Sequence, residues 1–226
     1  MSLTEALLRP LLASPARPLI THYDDLAGTR VELSVATLAN WAAKTANWLV
    51  EEHSIEPGDP VAVLLPPHWQ TAGILLGAWW CGARIVDSPD APVVFVPPGR
   101  SGAVVSLDPM GRDLGSPPPD GIDFIAEVRM FGDDFLALTP VPGSTPALGP
   151  STVDTVLADA HTRAQALGIT ASSRVLSTLD WTHPHGLLDG FLAVLAARAS
   201  LVQVTNPDPA KLPAHRSTER TTLDLP

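Results

Sequence analysis

An α/β fold, a largely parallel sheet flanked by helices, is predicted by three features of this 226-residue chain. A short apolar run without alternation, Val61 to Leu65, suits a strand covered on both faces. Between such runs lie segments with apolar residues at three- and four-residue spacing, the signature of helices. Proline and glycine stand at the joints, above all Pro57-Gly58-Asp59 and Gly82. A chain of this length can bury a substantial core, so a single domain over residues 1–226 is expected, with an irregular Pro- and Gly-rich section at 88–150.

Taken in order, Thr4 to Ala13 reads as a short helix. Leu19 to Tyr23 and Arg30 to Leu33 read as strands of a hairpin, joined through Asp24, Asp25 and Gly28. Ser34 is a good N-cap, and Leu38, Trp41, Ala42, Thr45, Trp48 and Leu49 then share one helical face. A strand over Val61 to Leu65, a helix from His68 to Cys81 ended by Gly82, and a strand over Arg84 to Val86 form a β-α-β unit. In the middle third, Val93 to Val96, Val104 to Leu107 and Phe135 to Leu138 are predicted strands, and Phe124 to Arg129 a short helix. Ser151 or Thr152 caps a helix to about Leu167. Arg174 to Thr178, Gly186 to Arg198 and Leu201 to Val204 make a second β-α-β unit. A helical stretch near Pro209 to Arg216 and a strand at Arg220 to Leu223 complete the prediction.

Composition excludes several functions. The apolar fraction is 45% and the charged fraction 17%, a globular balance. A net charge of -10 argues against nucleic-acid binding, which needs clustered Lys and Arg. The longest apolar stretch, Ala72 to Ala83, is well short of the roughly 20 residues of a membrane span. The N-terminus lacks the basic start and long apolar core of a signal peptide. Cys81 is the only cysteine, so no disulfide forms within the chain, and a cytoplasmic location is expected. Lys44 and Lys211 are the only lysines, both outside any catalytic-looking loop.

Landmarks in a particular order give a more specific reading. Leu33-Ser34, Leu38, Pro57-Gly58-Asp59, Val61-Ala62, Leu65-Pro66 and Gly82-Ala83 come first. Ser173-Arg174-Val175-Leu176 and Trp181-Thr182-His183-Pro184-His185-Gly186 follow, then Glu219-Arg220-Thr221-Thr222-Leu223 with Pro226. Together they resemble the first N-terminal subdomain of the adenylate-forming, acyl-CoA synthetase-like superfamily. The resemblance implies a phosphate loop within Thr139 to Pro150, of which Gly143-Ser144-Thr145 is a remnant. It implies an acyl-like pocket near Trp181, His183, His185 and Gly186, with His183 at the family's histidine.

The loop departs from the family's pattern. Its lysine is missing, and Pro140, Pro142, Pro146 and Pro150 each remove a donor N–H and fix φ. The later adenine- and ribose-binding motifs, and the C-terminal domain with its lysine, find no counterpart after Val204. The expectation is a truncated domain without catalytic residues of its own, acting as a binding or partner module, with no cofactor and no metal. The alternative is a split acyl-CoA synthetase whose missing half comes from another chain, and only that reading calls for ATP or AMP and Mg²⁺. A homodimer or a protein partner is expected to cover the apolar surface left by the missing half, and an acyl-like small molecule to occupy the pocket. His183-x-His185 alone is a weak metal pair. Asp24-Asp25 and Asp133-Asp134 are read as turn carboxylates, and no Gly-x-Ser-x-Gly elbow is present.

Overall fold

Ser2 opens the chain with a reciprocal cap: its hydroxyl accepts from the Glu5 amide, and the Glu5 carboxylate accepts from the Ser2 amide. A computed structural model describes residues 1–226. Helix α1 (Leu3–Leu8) runs into a 3₁₀ turn at Arg9–Ala13. Strands β1 (Pro18–Asp24) and β2 (Thr29–Ser34) form the expected hairpin. Ser34 caps α2 (Val35–His53), which ends at Ser54 in the left-handed region. Then come β3 (Pro60–Val63), α3 (Trp69–Cys81) and β4 (Arg84–Val86). Gly82, at φ 90°, stops α3 as the sequence indicates.

The middle section is more ordered than its composition suggests. It holds β5 (Val93–Val96), β6 (Gly102–Val104), β7 (Gly121–Asp123) and α4 (Phe124–Val128). Strands β8 (Pro146–Leu148) and β9 (Ser151–Thr152) form a tight hairpin, and Thr152 caps α5 (Val153–Ala166). Strand β10 (Arg174–Ser177) leads to α6 (His185–Leu187), a π-helical turn at Leu188–Leu192 and α7 (Ala193–Ala196). Then come β11 (Ser200–Thr205), α8 (Leu212–Glu219) and β12 (Leu223–Leu225).

Three predictions need correction, and one needs enlargement. The strand expected over Val104 to Leu107 runs instead over Gly102–Val104, where it pairs with β5 and β7, and Val105 to Leu107 leave the ladder. Phe135 to Leu138 is not a strand: it has no ladder partner, and Leu136 and Leu138 point to solvent. The last strand begins at Leu223, because Arg220 adopts the left-handed conformation that ends α8. The sheet is two sheets. One has the order β12-β10-β11-β1-β2, parallel except for β2. The other has the order β7-β6-β5-β3-β4-β8-β9, parallel except for β9. Both β-α-β units are present, one in each sheet.

A single cluster of 53 buried apolar residues joins the sheets through the helices. Helix α3 is apolar all round, with every residue but Trp80 buried, as a helix packed on all sides must be. Its approach to α2 is close. A Cβ on Gly77 would lie 2.5 Å from Thr45 Cβ and 2.6 Å from the Ala42 carbonyl oxygen. Trp48, Phe95 and Phe124 form an edge-on cluster beneath α2, and Trp48 Nε1 donates to Glu127 at 2.9 Å. No helix is long and apolar enough to cross a membrane.

Helix α8 is fastened to the outer face of the first sheet by charge. Buried Glu219 accepts from Tyr23 Oη at 2.6 Å, from Arg30 Nε at 2.8 Å and from Arg174. Burial pushes the Glu219 carboxyl up, but these three donors together outweigh it and hold the pKa at about 2.

Replacing Gly77 by Ala is expected to destabilise the chain by about 2 kcal/mol in urea unfolding, because the new methyl meets the α2 backbone. Helix propensity alone favours Ala by about 1 kcal/mol, so a stabilised variant would refute the close approach.

Candidate functional site

In a parallel sheet the loops beyond the strands' carboxyl ends are the natural place for a ligand. The two sheets of this chain bring three such loops together. They are the β3–α3 connection at Leu64 to Pro67, the end of β4 at Val86 and Asp87, and the β10–α6 connection at Asp180 to His183. Between them lies a cleft of about 430 Å³, with Val63, Ile85 and Leu187 completing its apolar walls.

Of the residues singled out in the sequence, Trp181 and His183 line this cleft. Trp181 is 7% exposed and stacks on Phe191 at 4.7 Å. Trp48, Trp69 and Trp79 each donate their indole N–H to an oxygen, whereas Trp181 Nε1 is buried without a partner. The Nε2 of His183 is likewise buried and unpaired. His185 is exposed at the start of α6 and does not line the cleft. Gly186 is needed for packing: a Cβ there would lie 2.1 Å from the Asp180 carbonyl oxygen.

Gly143, Ser144 and Thr145 lie elsewhere. They precede β8 and sit at the amino edge of the sheet, where Val141 packs against Gly82 and Pro146 against Gly58. The Thr145 amide is used within the turn, donating to the Pro142 carbonyl at 3.0 Å. A Cβ on Gly143 would fall 2.2 Å from both carboxylate oxygens of Asp154. An acidic side chain of the first turn of α5 therefore covers this glycine and complements the positive end of that helix. A phosphate here would meet a carboxylate and no lysine. At the carboxyl end of β8 the chain makes only the Gly149-Pro150 turn. Gly149 is closed against the cleft: a Cβ on it would lie 3.1 Å from His183 Cε1.

Sequence reasoning missed a row of buried polar side chains next to these loops. Ser177 on β10, Gln203 on β11 and His22 on β1 are register neighbours, all at most 2% exposed. His22 Nε2 lies 2.9 Å from Thr205 Oγ1, and Gln203 Nε2 donates to the Leu179 carbonyl at 3.1 Å. The His68 ring meets His22 edge-on at 4.4 Å, while its Nδ1 accepts from the Gln70 amide and so caps α3. Both side-chain atoms of Gln70 and the Oε1 of Gln203 are buried without partners. The signal was available: a His and a Gln interrupt otherwise apolar strand runs.

These histidines are held neutral. Burial pushes His68 down to about 2, helped by the neighbouring His22. Burial also pushes His22 down to about 4, opposed by the Asp24 charge and the Pro67 carbonyl. Cys81 is driven up by burial to about 12 and is no nucleophile at neutral pH. Asp24 accepts from the Leu26 and Ala27 amides, a turn role, whereas Asp133 pairs with the distant Lys44 of α2 at 3.0 Å and Asp25 accepts from the Asp208 amide, so these two tie separate segments together rather than serve a turn. No group of three or more His, Cys, Asp or Glu side chains is arranged to hold a metal ion.

Because the folded chain refuses protons at His22 and His68 that the unfolded chain accepts from pH 6.5 downward, stability is full above pH 6.5 and falls toward pH 4. Thermal unfolding at pH 5 should show a loss of about 4 kcal/mol relative to pH 7.5, about 2 kcal/mol from each histidine. His68→Asn, which keeps a capping side chain, should flatten that slope; an unchanged slope would refute the assignment.

No family model matches the chain. A TIGR03089 family protein of Mycobacterium tuberculosis (strain ATCC 25618 / H37Rv) is 45% identical over 241 aligned positions, covering 99% of this chain and 98% of that protein. Among solved structures, the acyl-CoA synthetase of Brucella canis superposes with a TM-score of 0.78 at 16% identity, over 99% of this chain and 47% of that one. The N-terminal domain of FACL13 from Mycobacterium tuberculosis gives 0.71 at 17% identity, over 99% and 62%. The fatty acyl-adenylate ligase of L. pneumophila, solved with acyl adenylate and pyrophosphate, gives 0.67 at 15% identity, over 99% and 44%. This chain thus spans about half the length of the acyl-CoA synthetase it matches, and it shares the fold of the N-terminal part of adenylate-forming enzymes.

Proposed function

This chain belongs to the TIGR03089 family, and on that premise we propose that it is a binding module built on the scaffold of adenylate-forming enzymes, without adenylation chemistry of its own. The observation that carries the reading is the Asp154 carboxylate seated over Gly143, at the loop where the resemblance puts phosphate binding. The absence of a lysine from Thr139 to Pro150 and the two-residue turn after β8 support it. The cleft beside Trp181 and His183 is where the small molecule binds; its volume falls within the range of small-molecule sites. Its lining includes His183, whose Nε2 is buried without a protein partner.

The proposal extends to assembly. Met130, Leu136 and Leu138 are 85%, 81% and 90% exposed within one short segment. Apolar side chains gathered this way favour contact with a second copy of the chain.

The purified chain should catalyse no ATP–pyrophosphate exchange with any fatty acid, and calorimetry should detect no ATP binding at millimolar nucleotide. Exchange above the buffer blank would overturn the reading. Sedimentation equilibrium should show self-association that Leu136→Asp weakens; a clean monomer at high concentration would exclude the second copy.

A further inference from the structure

The cleft is unusual in its charge. Of its thirteen lining residues, three carry titratable side chains: Asp87, Asp180 and His183. Two are carboxylates, both exposed at the rim, and neither is paired with a cation. No lysine or arginine lines the cleft. Apart from Thr182 the remainder is apolar wall, from Val63 to Pro67, Ile85, Val86, Leu187 and the largely buried Trp181.

We infer that this cleft takes a small ligand with an apolar body and a neutral or cationic head, an amide or an amine, and turns away carboxylates and phosphates. The inference rests on the reading of the cleft as the binding site and names the class of ligand that site accepts. Charge gives the direction. A unit charge about 5 Å from one carboxylate changes affinity by about fourfold even at the dielectric of water, and more where the walls exclude solvent. Two carboxylates act in the same sense on an ammonium group and in the opposite sense on an anion. His183, the third titratable group of the lining, has its Nε2 buried without a protein partner.

Isothermal titration of the full chain at low salt and pH 7 with octylamine, octanamide and octanoate tests this, with apolar bodies matched. Octylamine is expected to bind at least tenfold more tightly than octanoate, with octanamide between them. The double variant Asp87→Asn, Asp180→Asn should lose about tenfold for octylamine, keep octanamide within twofold and gain affinity for octanoate. Both side chains are exposed, so the fold should survive the change, and near-ultraviolet circular dichroism checks that it does. Octanoate binding as tightly as octylamine would overturn the charge inference while leaving the cleft a binding site. Binding of none of the three would overturn the cleft reading and the inference with it.

Discussion

The contact of α2 with α3 is the constraint on which the rest of the structure depends. Gly77 brings the α3 backbone against Ala42 and Thr45, closer than any side chain would allow. Helix α3 can lie there only because it is apolar on every face, and it then packs against α1, α2 and strands of both sheets. Its position sets the β3–α3 connection, and that connection is one wall of the cleft. The opposite wall, the β10–α6 connection, belongs to the other sheet. Neither sheet makes the cleft alone. It exists because one buried helix fixes the distance between them.

Polar groups divide into two kinds around this core. On the outer face of the first sheet, Glu219 gathers Arg30, Arg174 and Tyr23, and every group finds an opposite charge or a donor. That network is structural: it holds α8 in place and leaves nothing free. Near the strands' carboxyl ends the pattern reverses. His22, His68, Gln70, Gln203, Trp181 and His183 are buried or half-buried, and all but His68 carry polar atoms with no protein partner. Buried polar groups without partners are costly, and such a cost is commonly kept where a ligand or water completes the set.

Much of this was legible in the sequence. Ser34, Pro57-Gly58-Asp59 and Gly82 mark real boundaries because caps and left-handed turns are local chemistry. The β-α-β units followed from apolar runs alone. In the middle third only the strand Val93–Val96 and the helix at Phe124–Val128 were legible, because β6, β7 and β8 are three-residue strands set by their neighbours rather than by periodicity. Phe135 to Leu138 has strand composition but no ladder to join. Trp181 and His183, singled out in the sequence, line a cleft beyond the end of β10. The division into two sheets, and with it the cleft's second wall, was invisible because no local signal says which strand pairs with which. Asp154 facing Gly143 was hidden for the same reason: the two lie eleven residues apart and meet only through the β8–β9 hairpin.

The chain therefore joins the fold of the N-terminal part of adenylate-forming enzymes to a Gly143 turn covered by the Asp154 carboxylate, and to a cleft between two sheets. The central claim is that the cleft, and not a nucleotide site, is what the fold presents. A crystal structure of the chain purified from its native host, with mass spectrometry of whatever dissolves from the crystals, tests this most directly. The account predicts a small non-nucleotide molecule between Leu64 to Pro67 and Asp180 to His183. Adenine nucleotide bound beside Gly143 or the Gly149-Pro150 turn would contradict it.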